Sequence, residues 1–164
     1  MNTVVLNELQ INQKLQRIAY EIIENNFEDK ELYLVGITGN GVKLVDSLEK
    51  ILSNITDQKI IKAEVTVNKK DPFSQPIKLS CDSKLFKNAT VILIDDVINS
   101  GKTMQYALVK ILEQPIRKVK TVALVDRKHR RYPIRCDYVG LTLSTTLQDR
   151  VEVDFSKDAI AYLV

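Results

Sequence analysis

The chain's 164 residues, 45% hydrophobic and 27% charged, suit one globular domain over 1–164, long enough to bury roughly two-thirds of its unfolded surface. A formal charge of +3 is too mild to single out a polyanionic partner, and the one histidine, His129, excludes a zinc site built on paired histidines. Two cysteines outside any metal-ligand spacing, no apolar run near the ~20 residues that span a bilayer, and no basic-then-apolar leader predict a reduced, cytoplasmic protein with no membrane partner.

Residues 7–25 carry Leu15, Ile18, Ala19, Ile22 and Ile23 at helical spacing, with Lys14, Arg17, Glu21 and Glu24 between them, which predicts an amphipathic helix. The apolar run L-Y-L-V-G-I at 32–37 predicts a buried strand. Thr38-Gly39-Asn40-Gly41 comes next, and then a second helix marked by Leu44, Val45, Leu48, Ile51 and Leu52. β-Branched residues predict a strand at 59–67, and the Pro, Lys, Ser and Asp of 68–83 predict an irregular loop. A third strand is expected at 90–94, a helix at 103–112, and further strands at 119–125, 138–143 and 151–155. Continuous apolar strands alternating with helices predict an α/β fold, a mainly parallel sheet flanked by helices. Ligands of such sheets sit outside the carboxyl ends of the strands, where strand order reverses. Two turns at such ends have unusual chemistry: T-G-N-G after the first buried strand and D-D-V-I-N-S-G-K-T after the third.

Asp95-Asp96 on its own is as readily a solvated turn or a helix N-cap. The residues after it are more specific. Asn99-Ser100-Gly101-Lys102-Thr103 can wrap backbone N–H groups around an anion at a helix N-terminus, with the Ser100 and Thr103 hydroxyls as further donors and Lys102 as a charge. Gly101-Lys102-Thr103 resembles the end of a Walker A loop, but that loop needs glycine where Asp96 stands, and an acid there repels a triphosphate. A ligand with a monophosphate at one end and a cis-diol beside it fits better: the turn takes the phosphate, and Asp95 and Asp96 accept from two ribose hydroxyls.

The run of 91–103, V-I-L-I-D-D-V-I-N-S-G-K-T, resembles the phosphoribosyl-pyrophosphate (PRPP) signature of type I phosphoribosyltransferases. Residues 125–140, V-D-R-K-H-R-R-Y-P-I-R-C-D-Y-V-G, are similar to the V-D-R-G-H-R-E-L-P-I-R-A-D-Y-V-G stretch of the PyrR family, and R-I-A-Y-E-I-I-E at 17–24 resembles that family's first helix. Members act as uracil phosphoribosyltransferases and as RNA attenuators of the pyrimidine operon. The resemblance implies a phosphoribosyltransferase fold with a small hood and a flexible loop. It implies Mg²⁺-dependent transfer of ribose 5-phosphate from PRPP to a nucleobase, uracil first, giving a nucleoside monophosphate. Two alternatives stand beside it: a nucleotide-sensing RNA-binding regulator with little catalysis, and a purine phosphoribosyltransferase.

Carried onto this chain, the resemblance makes Asp95, Asp96 and Lys69 catalytic, with Mg²⁺ held through PRPP and by Asp95 and Asp96. Val97, Asn99, Ser100, Gly101, Lys102 and Thr103 would bind the 5′-phosphate, and Thr38, Gly39, Asn40 and Gly41 the pyrophosphate. Lys69 and Lys70 would open the flexible loop. RNA would meet Lys14, Arg17, Arg127, Lys128, Arg130, Arg131 and Arg135, and a homo-oligomer, dimer or higher, is implied. The chain departs from the family at Asn40, where T-R-G has arginine, and at Asn68-Lys69-Lys70-Asp71, where the family reads Y-R-D-D. Tyr20 replaces a histidine in the first helix.

Overall fold

The computed structural model describes residues 2–164. In chain order the elements are β1 (Thr3–Leu6), α1 (Glu8–Asn25), β2 (Glu31–Ile37), α2 (Asn40–Ile55), β3 (Lys59–Thr66), β4 (Lys78–Leu79), a 3-10 turn (Ser83–Phe86), β5 (Thr90–Ile98), α3 (Lys102–Ile111), β6 (Lys118–Asp126), β7 (Tyr138–Thr142), β8 (Val151–Asp154) and β9 (Ile160–Leu163). The larger sheet has the order β4-β3-β2-β5-β6-β7, and every pairing from β3 to β7 is parallel. The two-residue β4 lies antiparallel on the outer edge of β3. The smaller sheet, β1-β9-β8, is antiparallel and brings the two ends of the described chain together.

Alternation along the strands divides the core between the two faces of the larger sheet. Leu32, Leu34, Ile92, Ile94 and Leu124 pack with α1 and α2 through Ile11, Leu15, Ile18, Leu44 and Leu48. Tyr33, Val35, Ile37, Val91 and Leu93 face the other way, onto Phe86 and onto Met104, Ala107 and Ile111 of α3. The first helix begins where a capping box sets it: Asn7 Oδ1 accepts from the Gln10 amide, and Gln10 Oε1 from the Asn7 amide, both at 2.9 Å.

Three features differ from the sequence expectation. The third expected strand runs on to Ile98, because β6 keeps pairing with it at Asp95↔Ala123, Val97↔Val125 and Ile98↔Asp126. Asp95 and Asp96 therefore stand in a strand, held by its ladder, and not in a turn. The expected 68–83 loop holds β4 and leads into the 3-10 turn. β1 and β9 were not expected, and with β8 they form a separate small sheet.

The chain leaves β2 towards β3 on one side and, after β5, towards β6 and β7 on the other, so strand order reverses between β2 and β5. The T-G-N-G and N-S-G-K-T turns come directly after these two strands and therefore flank one crevice.

Candidate active site

A cleft of about 340 Å³ lies at this crevice, lined by Lys69, Asp95, Asp96, residues 97–104 and, from the small sheet, Val151. At one end stand the two acids, Asp95 at 3% and Asp96 at 8% exposure. Each carboxylate accepts from the next backbone amide: Asp95 Oδ1 from Asp96 at 3.0 Å and Asp96 Oδ1 from Val97 at 2.8 Å. Lys69 Nζ donates to Asp95 at 3.1 and 3.3 Å and lies 4.0 Å from Asp96 Oδ1. Burial first, and then the neighbouring Asp96 carboxylate, push the Asp95 carboxyl up to about 7 against the opposing pull of the Lys69 ammonium.

At the other end is the 99–103 turn. Gly101 caps α3 in the left-handed region at φ 84°, and a Cβ there would lie 2.2 Å from Ile134 Cγ2, so conformation and space both demand glycine. Ser100 Oγ accepts from the Lys102 amide at 3.2 Å, and the Ser100 carbonyl accepts from the Arg131 and Tyr132 amides at 2.9 and 3.1 Å. No acidic residue sits in the first turn of α3, so the N-terminal partial charge of the helix faces the cleft uncompensated.

The T-G-N-G turn does not line the cleft; it packs against the acid pair from behind. Gly39 turns the chain at φ 93°, and a Cβ on Gly41 would stand 2.8 Å from the Ile94 carbonyl oxygen, which is how α2 starts directly against β5. Thr38 is turned away: its amide and hydroxyl both donate to the Val65 carbonyl, tying β2 to β3. Asn40 Nδ2 donates to Asp96 Oδ2 at 2.9 Å and to the Val153 carbonyl of β8 at 2.8 Å. The residue that replaces the family's arginine thus links the acid pair to the small sheet, a connection nothing in the sequence pattern records.

Beyond the acids, Lys70 is exposed, while Asn68 Oδ1 accepts from the Lys70 and Asp71 amides. The loop tip rests on α3, with Phe73 edge-on to Tyr106 at 5.1 Å. Of the seven candidate RNA contacts, Arg17, Lys128, Arg131 and Arg135 are exposed, and Lys14 is half-buried. Arg17 reaches Glu21 and the Val139 and Gly140 carbonyls. Arg130 forms a two-pronged pair with Asp126, both bonds 2.9 Å, and donates to the Asn99 and Ile134 carbonyls. Arg127 is buried and turned inward. Among the described residues no three His, Cys, Asp or Glu side chains converge on one point.

An anion cradle at a helix N-terminus, with two carboxylate acceptors across a cleft at the sheet's switch point, is an arrangement suited to a sugar phosphate. Residues 2–159 match the model of the phosphoribosyl transferase domain. Three curated proteins named Bifunctional protein PyrR align over nearly the whole chain. Those of Mannheimia succiniciproducens and Streptococcus sanguinis are 34% and 35% identical, each over 93% of this chain and 91% and 90% of their own. That of Clostridium acetobutylicum is 34% identical over 92% of this chain and 88% of its own. Among solved structures, hypoxanthine phosphoribosyltransferases share the fold. That of Trypanosoma cruzi has TM-score 0.76 and 16% identity over 97% of this chain and 95% of its own; that of Staphylococcus aureus has 0.72 and 20% over 87% and 78%. The chain belongs to the phosphoribosyltransferase family and, within it, to the PyrR group. Among the described residues no helix is long and apolar enough to cross a membrane.

Proposed function

We propose that the chain transfers ribose 5-phosphate from PRPP to uracil, releasing pyrophosphate and UMP, with the switch-point cleft as the active site. The observation that carries this reading is that the 99–103 turn and the acid pair share one cleft, with the 38–41 turn packed against the acids. In it the amides of 99–103, with the Ser100 and Thr103 hydroxyls and Lys102, hold the 5′-phosphate, helped by Val97. Asp95 and Asp96 accept from the ribose hydroxyls and stabilise positive charge growing on the sugar as the bond to pyrophosphate breaks. Gly39, Asn40 and Gly41 offer the departing pyrophosphate a backbone approach. Lys69 lies on the acids until the sugar takes its place, and is then free to face the leaving group. No covalent nucleophile is needed; positioning and charge supply most of the acceleration.

Two buried carboxylates that already draw in an ammonium are suited to a hard cation. Mg²⁺ bound with PRPP would neutralise the pyrophosphate, and Asp95 and Asp96 are the side chains that would hold it. A PRPP-dependent pyrophosphate-release assay with Mg²⁺, offering uracil, hypoxanthine, guanine and adenine separately, tests the reading. Release with uracil, lost in Asp95→Asn, supports it; release with a purine alone replaces the base, and release with none removes the catalysis.

A second reading rests on the exposed cations Lys128, Arg131 and Arg135, which suit RNA phosphates. Salt-sensitive, nucleotide-dependent RNA binding, weakened in Arg131→Ala and Arg135→Ala, is its test. A homo-oligomer and a cytoplasmic setting belong to the same proposal, and sedimentation checks the former.

A further inference from the structure

Arg127 lies in a basic run yet is 6% exposed. Its guanidinium reaches two separate parts of the site. Nη1 donates to Asn99 Oδ1 at 2.8 Å, at the start of the 99–103 turn. Nε donates to Thr145 Oγ1 at 2.8 Å, and Nη2 to the Thr146 and Asp149 carbonyls, in the segment that leads into β8. Its own amide donates to the Ile98 carbonyl at 3.0 Å, fixing its root to the end of β5. Asp149 in turn accepts from the Thr146 amide and hydroxyl, so residues 145–149 form a closed unit around the arginine.

Among the described residues Arg127 makes no salt bridge; the nearby Asp126 carboxylate is taken by Arg130. The Asp149 carboxylate is engaged by Thr146 and acts on the arginine only from a distance, so the acceptors in contact with this buried cation are neutral and compensate it only in part. Its cost falls when an anion occupies the adjoining turn. The planar fork also fixes the distance between its partners in a way a lysine does not. Val151, two residues beyond Asp149, lines the cleft, so whatever sets residues 145–149 also sets that wall.

We infer that the wall of the cleft at Val151 is the one against which the base is held, and that Arg127 is a positioning residue that couples occupancy of the phosphate turn to the placement of that wall. The inference rests on the transferase reading above. A wall misplaced by about an ångström lowers reaction of the base roughly a hundredfold while leaving the phosphate seat largely intact.

The test uses the full chain with Asn99→Ala, Thr145→Val and the double variant, each in the native and the Arg127→Lys background. Readouts are kcat and KM for the base, affinity for PRPP and for UMP by calorimetry, and Tm as a check of folding. Arg127→Lys is expected to raise the KM for the base about tenfold or more while PRPP affinity moves less than about threefold. Asn99 and Thr145 make no hydrogen bond to each other. Their effects on UMP affinity are nevertheless expected to depart from additivity by about threefold or more in the native background, and to become additive in Arg127→Lys. Additive effects in the native background, or an unchanged base KM in a folded Arg127→Lys, overturn the inference alone. A native protein that neither turns over any base nor binds UMP overturns the transferase reading, and the positioning role with it.

Discussion

Asn40 and Asp96 meet at 2.9 Å across the point where strand order reverses, and the same amide nitrogen holds the Val153 carbonyl at 2.8 Å. One side chain therefore joins three parts of the site that arrive from separate places in the chain: the 38–41 turn, the acid pair and the small sheet. Asn40→Ala leaves the buried Asp96 short of a donor and unties β8. A loss of about 1.5 kcal/mol in unfolding free energy is expected, at the lower end for a bond to a charged group because Asn40 is half-buried. Denaturant titration measures it, and turnover is expected to fall by more than folding does.

The Asp95 carboxyl is raised from its ordinary 3.8 to about 7 by burial and by Asp96. The folded state thus holds this proton more tightly than the unfolded chain. Stability from this group is greatest below 3.8, falls as pH rises towards about 7, and is level above that. Asp95→Asn is expected to stabilise the ligand-free protein by ~1–2 kcal/mol at pH 8, with little gain at pH 4, while removing turnover. Denaturation at the two pH values, with equal gains as the contrary result, checks the sign.

The proposed mechanism requires that same carboxyl ionised, so the pH profile of kcat/KM for PRPP is expected to rise through an acid limb near 7. Lys69, 3.1 Å away, favours the ionised form. In Lys69→Met the limb is expected to move upward by about half a pH unit or more. A limb that stays in place would mean the ammonium does not sit on the acid in solution.

Lys128 adopts φ 57°, a left-handed conformation that side chains other than glycine enter at a cost. The PyrR stretch matched by 125–140 has glycine at this position. Lys128→Gly is expected to stabilise the protein by about 0.5–1 kcal/mol, seen as a higher Tm, and to remove one exposed cation from the basic surface.

Much of this site is legible in the amino-acid sequence. The V-I-L-I-D-D-V-I-N-S-G-K-T run names its own chemistry, since an apolar strand, two acids and a glycine-broken helix start are local features. The parallel sheet follows from strands apolar on both faces. What lay beyond the sequence is non-local. Thr3–Leu6 and Ile160–Leu163 are four-residue strands that make sense only against each other, at opposite ends of the chain. The extension of β5 through Asp95 and Asp96 depends on β6 continuing beside it, which no local propensity announces. Arg127 looks like its exposed neighbours Lys128 and Arg131, because two of its partners are backbone carbonyls that leave no mark in composition. Asn40 reads as a lost arginine until its two acceptors are in view.

Binding of PRPP in the crevice between β2 and β5 is the claim on which the other roles depend. Calorimetric titration of PRPP with Mg²⁺ into the native chain, Asp96→Asn and Thr103→Val tests it most directly. One saturable site is expected in the native chain, with affinity lowered about tenfold or more in each variant, the loss of a hydrogen bond involving a charged group. Equal affinity in all three would place the ligand elsewhere and contradict it.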